Sequence, residues 1–188
     1  MTEPSDAELI LRTQKGDREA FGVIVRRYMK RAYFAAMTIV REHNEAMDLS
    51  QEAFARAFRG IKKFDTSMPF FPWYHSTLRN LWINRCRKGR GVKFTSLSVG
   101  GDDESQTIEV ASRDEGPFVA AEKSEMAEVL AREMAGLDED KREILHLRHF
   151  ENMSYREISQ ALGIPEGTVM SRLYSARQAL RVRMEKHV

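Results

Sequence analysis

The sequence predicts an all-α protein: two small helical domains joined by a flexible acidic linker. Two observations carry that reading. From Ser5 to Arg87, and again from Met126 onward, apolar residues recur every three or four positions, the period of one helical face. Between these blocks, from Gly89 to about Pro117, Gly, Ser, Asp and Glu dominate and the few apolar residues keep no sustained period. The division that follows is a first domain over 1–94, the linker over 95–125, and a second domain over 126–188. With 188 residues, 42% hydrophobic and 31% charged, the chain has apolar material for a core and an ordinary polar surface.

Each element has its own local signal. Ser5-Asp6-Ala7-Glu8 is a capping box, in which Ser and Glu three apart satisfy backbone N–H groups of the first turn, and it opens a short helix to about Lys15. After Gly16-Asp17, the positions Phe21, Ile24, Val25, Tyr28, Ala32, Ala35 and Ile39 form one stripe of a long amphipathic helix. A third helix, from about Asn44 to Phe58, repeats the spacing with Ala46, Leu49, Ala53, Phe54, Ala57 and Ile61. The fourth begins near Pro72 and runs toward Arg87, with Leu78, Leu81 and Trp82 on its core side. In the second domain Leu137-Asp138 opens a helix through about Phe150. A second capping box, Ser154 to Glu157, precedes the apolar face of Ile158, Ala161 and Leu162, and Gly163 is suited to the left-handed conformation that ends a helix. Pro165 suits the start of the last helix, whose stripe is Val169, Leu173, Ala176 and Leu180.

Several function classes are poorly supported. Cys86 is the single cysteine, which excludes an intrachain disulfide and a thiolate zinc site built by this chain alone. His146 and His149 lie three apart on a helix, but no third ligand is placed to complete a metal site. There is no Gly-rich phosphate loop, no Ser/His/Asp set with a recognisable elbow, and no strand-borne carboxylate pair, so neither a cofactor nor an enzymatic activity is expected. No apolar run approaches the ~20 residues of a membrane span, and the first residues lack a signal-peptide pattern, which implies a cytoplasmic protein.

Charge and aromatic content point toward nucleic acid. The net charge of +2 conceals a strong asymmetry: 18 Lys and Arg against 10 Asp and Glu over 1–94, 2 against 8 over 95–125, and 10 of each over 126–188. From Arg56 to Lys93 there are ten basic residues and one acid, Asp65, a footprint suited to a polyanion. Within that stretch Lys62-Lys63-Phe64, then Phe70-Phe71-Pro72-Trp73-Tyr74-His75, interleave rings with cations. Exposed rings stack on unpaired bases while cations hold the backbone, so the stretch fits single-stranded nucleic acid. Phe64, Phe71 and Trp73 could equally be core rings. In the second domain a helix, a Gly-containing turn and a basic second helix give the layout of a helix-turn-helix, although an αα-hairpin in a bundle would show the same spacing. A step of 100° per residue turns Ser171, Tyr174, Ser175 and Gln178 away from the apolar stripe, with Arg172 and Arg177 on the flanks.

Two motif sets resemble a known family. Asp48-Leu49-Ser50-Gln51-Glu52-Ala53-Phe54, with Phe64-Asp65 and Trp73 through Arg79-Asn80, is similar to region two of bacterial RNA polymerase sigma factors of the extracytoplasmic-function group. Gly167-Thr168-Val169-Met170-Ser171-Arg172-Leu173 is similar to region four. The resemblance spans almost the whole chain and implies a region two-like helical bundle and a region four-like helix-turn-helix. It further implies a factor that binds core RNA polymerase, directs it to promoters and promotes melting, with Asp48, Gln51 and Glu52 docking on the polymerase. Phe64, Phe71, Trp73, Arg79 and Asn80 would then read the minus-ten element, and Ser171, Arg172, Tyr174, Ser175, Arg177 and Gln178 the minus-35 duplex. An anti-sigma factor is the expected regulator, and the acidic linker is expected to enter a basic channel of the polymerase. Tyr74 stands where the family usually has Leu, and Met170 and Ser175 where a basic residue is common. A stand-alone transcriptional regulator, or an RNA-binding module, would share the helix-turn-helix or the basic-aromatic stretch but leave other features unused.

Overall fold

The computed structural model describes residues 3–89 and 117–187. Among them run eight α-helices and no strand: α1 (Asp6–Gln14), α2 (Arg18–Val40), α3 (His43–Gly60), α4 (Phe70–Gly89), α5 (Pro117–Ala135), α6 (Glu139–His149), α7 (Tyr155–Leu162) and α8 (Glu166–Met184). A single 3-10 turn, Ile61–Lys63, follows α3. The acidic linker expected over 95–125 lies outside the described residues as far as 116. Helix α5 begins at Pro117, so helical structure resumes ahead of the boundary placed at residue 126.

The expected caps are present. Ser5 accepts from the Glu8 N–H while Glu8 accepts from the Ser5 N–H at 2.7 Å, and Ser154 and Glu157 repeat this at the start of α7. Gly163 ends α7 at φ +66°, a conformation open to glycine, and the chain turns there into α8. Asp17 caps α2 by accepting from the Ala20 N–H at 3.1 Å.

In the first domain α2 packs on α1 and α3, and α3 on α4. Small residues at Ala32, Ala35, Ala36, Ala46, Ala53 and Ala57, all buried, let the helices approach closely around Leu9, Ile24, Leu49, Phe54, Tyr74 and Leu78. Tyr74 donates to the Ser50 carbonyl at 2.9 Å, a bond a Leu at this position would lack. In the second domain α6 and α7 pack on α8 around Ile144, Leu147, Ile158, Val169 and Leu173.

The two domains touch. Helix α7 lies against α4 and α6 against α2. All six residues from Arg142 to Leu147 are buried, so α6 is covered on more than the one side that an amphipathic surface helix would need. Arg142 donates to the Thr38 carbonyl of α2 at 2.5 Å and to the Leu137 carbonyl of its own domain at 2.9 Å, while Arg41, the residue that follows α2, reaches the same Leu137 carbonyl at 2.7 Å.

Candidate nucleic-acid interfaces

The residues singled out from sequence fall on three faces. On α3, Asp48 and Gln51 are exposed, and Glu52, one turn on from Asp48, pairs with Arg85 of α4 at 2.5 Å. The Arg85 bond holds the Glu52 carboxyl below its ordinary range, so it is ionised at neutral pH. The face therefore offers two carboxylates and an amide at i, i+3 and i+4 to a basic partner.

The basic-aromatic stretch is divided by the fold. Phe64 and Phe71 are core residues, so of the two alternatives the sequence left open for these rings the fold takes the core one, and neither is exposed for stacking. Their burial has a clear cause. Helix α4 starts at Phe70, ahead of Pro72, and winds Phe70 and Phe71 into the bundle, where Phe71 stacks on Tyr28 at 5.7 Å between ring centres. The Arg31 guanidinium covers the Phe71 ring at 4.2 Å. Phe64 packs beneath Trp73 at 4.8 Å. Trp73 itself is half-buried, and its six-membered ring lies over Gly60, where a Cβ would meet it at 3.6 Å. Asn80 is exposed. Arg79 is engaged with the second domain, bonded through Nε to Glu143 at 3.1 Å and paired through Nη2 with Asp140 at 3.4 Å. Trp82, assigned to the core from its spacing, is half-buried and donates its indole N–H to Glu139 at 3.1 Å.

On α8, Val169, Leu173 and Ala176 are buried and Leu180 packs against the core, as the spacing requires. Ser171, Tyr174, Ser175, Arg177 and Gln178 are exposed on the opposite side. Arg172 sits at the edge, with Nη1 3.7 Å from Asp140. Met170 and Tyr174, one turn apart, are both largely exposed and extend the same face.

Sequence reasoning missed the groups between the domains. His75 of α4 and Glu143 of α6 are buried, with Nε2 and Oε1 3.5 Å apart, and neither of those atoms nor His75 Nδ1 has a hydrogen-bond partner. Burial pushes His75 down and Glu143 up, each toward its neutral form. Beside them Arg31 binds Glu151 at 2.5 Å, and His146 stacks on Phe150. His146 is thus a buried residue of the seam, and no group of three or more candidate metal ligands exists among the described residues. A signal was present in the acidic opening of α6, three carboxylates at Asp138, Glu139 and Asp140, against the cations of α4.

Comparison with known proteins settles the family. The Sigma-70 region 2 family model matches residues 24–92 and the Sigma-70, region 4 model residues 127–180. The RNA polymerase sigma-H factor of Pseudomonas aeruginosa is 31% identical over 187 aligned positions, covering 96% of this chain and 94% of that one. The ECF RNA polymerase sigma factor SigW of Bacillus subtilis is 30% identical, covering 92% of each. This chain belongs to the extracytoplasmic-function group of RNA polymerase sigma factors. The fold agrees: the sigma factor RpoE from Bartonella quintana, solved with the anti-sigma factor NepR, superposes with a TM-score of 0.66 at 22% identity, over 88% of this chain and 96% of that one. CnrH, solved with the cytosolic domain of CnrY, gives 0.65 at 21% identity, over 97% and 99%. The region 2 match thus runs from within α2 through α4 and the region 4 match from residue 127, within α5, to residue 180, within α8, the family of initiation factors being non-enzymatic. No helix among the described residues is long and apolar enough to cross a membrane.

Proposed function

We propose that this sigma factor divides its work among the three faces. Helix α3 docks on core RNA polymerase through Asp48, Gln51 and Glu52. Helix α4 holds the melted minus-ten strand through Trp73, Arg79 and Asn80, with Phe64 and Phe71 supporting Trp73 and the helix start from below. Helix α8 enters the major groove of the minus-35 element, where Ser171, Ser175 and Gln178 meet base edges, Tyr174 packs on thymine methyls or sugar, and Arg172 and Arg177 reach phosphates. The domains are 1–94 and 126–188, the second extended backward by the start of α5. The work is cytoplasmic, where core polymerase and promoter DNA are, and an anti-sigma factor regulates it, as one accompanies the Bartonella quintana relative.

The observation that carries this reading is the outer face of α8. A helix entered through the Gly163 turn presents five polar or basic side chains in one exposed row, and it does so in a chain that also carries region 2. The test is reconstitution. Purified chain and core polymerase are incubated with a promoter library, and open complexes are selected and sequenced. Enrichment of paired minus-ten and minus-35 elements supports the reading; binding to duplex without polymerase, and no enrichment with it, refutes it.

A further inference from the structure

Arg79, one of the α4 residues assigned to the minus-ten strand, is already occupied by acids of the same chain, as is Trp82 one turn further on, while Asn80 stays exposed. Glu139 accepts the Trp82 indole N–H at 3.1 Å, Glu143 accepts from Arg79 at 3.1 Å, and Asp140 stands 3.4 Å from the same guanidinium. The three carboxylates lie on the first turns of one helix, α6, and meet a cation and a ring donor at neighbouring turns of α4. A single-stranded nucleic acid would present anionic oxygens to those groups in the same way. Asp140 also lies 3.7 Å from Arg172 of α8, so one carboxylate draws on both DNA-facing helices. Coverage is nevertheless one-sided. The outer row of α8 and the Asp48 and Gln51 face of α3 stay exposed.

We propose that Glu139, Asp140 and Glu143 act as an intramolecular substitute for nucleic acid, holding the free chain in a closed form that can reach polymerase and duplex but not the minus-ten strand. The proposal rests on the minus-ten reading of α4 given above. It also accounts for the composition of the seam. Arg31, Arg41 and Arg142 fasten α2 to the second domain through Glu151 and the Leu137 and Thr38 carbonyls, yet His75 and Glu143 are buried beside them with polar atoms unbonded. An open cleft between Asp6, Tyr28, Arg31 and Met68 on one side and Glu151 and Glu157 on the other interrupts the packing. Unbonded buried polar atoms and incomplete packing keep such a contact weak, so a partner binding either face can separate it.

The test uses the full chain without polymerase. Dyes placed by Lys15→Cys and Lys186→Cys, in a Cys86→Ser background, report the distance between domains by energy transfer. The anisotropy of fluorescein-labelled 12-nucleotide single strands of randomised sequence reports access to α4. Two variants open the seam by different routes: Glu139→Gln with Asp140→Asn and Glu143→Gln removes the acids, and Arg31→Ala with Arg41→Ala releases the second domain while leaving the acids in place. Both should lose energy transfer, keep their helical circular dichroism, and bind the single strands roughly tenfold more tightly, the arginine variant doing so despite having lost two cations. Unchanged energy transfer in both variants overturns the latch. Opened variants that bind no better than a wild-type chain already binding well overturn the masking and leave the minus-ten reading standing. Opened variants and wild type that all fail to bind single strands overturn the minus-ten reading, and the proposal with it.

Discussion

The buried His75 and Glu143 make the response of the domain seam to pH a sharp test of its geometry. Burial first, then the nearby His146 and Arg79, lowers His75 from 6.5 to about 3, and burial raises Glu143 from 4.5 to about 7 despite the opposing Arg79. The closed seam therefore holds a neutral imidazole and, below about 7, a protonated carboxyl. When the seam opens, both groups return toward their ordinary values. His75 then takes up a proton below 6.5, so falling pH favours opening. Glu143 then loses its proton above 4.5, so rising pH toward 7 favours opening. Between 4.5 and 6.5 the two effects cancel, because opening moves one proton from Glu143 to His75 and releases none. The other ionisable groups at the pair are Arg79 from α4, Glu139, Asp140 and His146 from α6 and, through Arg31 of α2, Glu151. Burial alone would raise Glu151, but bonds from His146 and Arg31 bring it below 4.5, outside this window. The wild-type energy-transfer signal should thus be nearly flat from pH 5 to 6.5. Single substitutions should unmask opposite slopes. Glu143→Gln leaves His75 alone and should be on the order of tenfold more open at pH 5 than at 6.5, whereas His75→Leu leaves Glu143 alone and should shift by a similar factor in the opposite direction. Slopes of the same sign in the two variants, or a steep wild-type slope, would refute the placement of these groups face to face in a dry seam.

Three further outcomes follow from the positions of single side chains. Trp73→Ala and Asn80→Ala should leave core polymerase affinity nearly intact while reducing strand separation on duplex promoters, with partial recovery on a premelted template, as permanganate footprinting would show. Phe71→Ala and Phe64→Ala should act on stability instead, each costing about 3–5 kcal/mol in urea unfolding of the full chain because both rings are core. On α8, Ser175→Arg should add up to ~1–3 kcal/mol at sites that place a guanine beneath it, while Arg177→Ala should weaken all sequences about equally, a contrast that library binding at two salt concentrations resolves.

The helices were legible because their signals are local. Capping boxes at Ser5 and Ser154, the Gly163 stop and the apolar rows of α2, α3 and α8 each state their element within a few residues, and burial of Val169, Leu173 and Ala176 follows from period alone. The exposed row of α8 was legible for the same reason. Phe64 and Phe71 were not, because a ring beside a turn shows no period that separates core from surface, and Pro72 suggested a helix start that in fact lies at Phe70. Arg79 and Trp82 were hidden by a different cause. Their partners, Glu143, Asp140 and Glu139, lie 57 to 64 residues away along the chain, and pairing at that distance leaves no periodic trace. What the sequence did carry was complementarity, an acidic start to α6 and a basic α4, without saying that the two would meet.

That complementarity bears on how firmly the two domains of such a factor can hold one another. A seam built from leucines would close the domains too firmly to release, since buried apolar area holds without regard to partner. A seam built from fully exposed ion pairs would hardly close at all, each pair contributing at most about 1 kcal/mol. The seam seen here combines the two. Helix α6 is anchored in the second domain's core by Ile144 and Leu147, and at its outer edge a half-buried Arg79 bonds Glu143 and shares Asp140 with Arg172, while Trp82 donates to Glu139. Arg79 and Arg172, two of the residues proposed to grip promoter DNA, are thus the ones that must let go of α6. On the latch proposed above, their release and their use are a single event, in which a promoter strand competes with Glu139, Asp140 and Glu143 for the same donors.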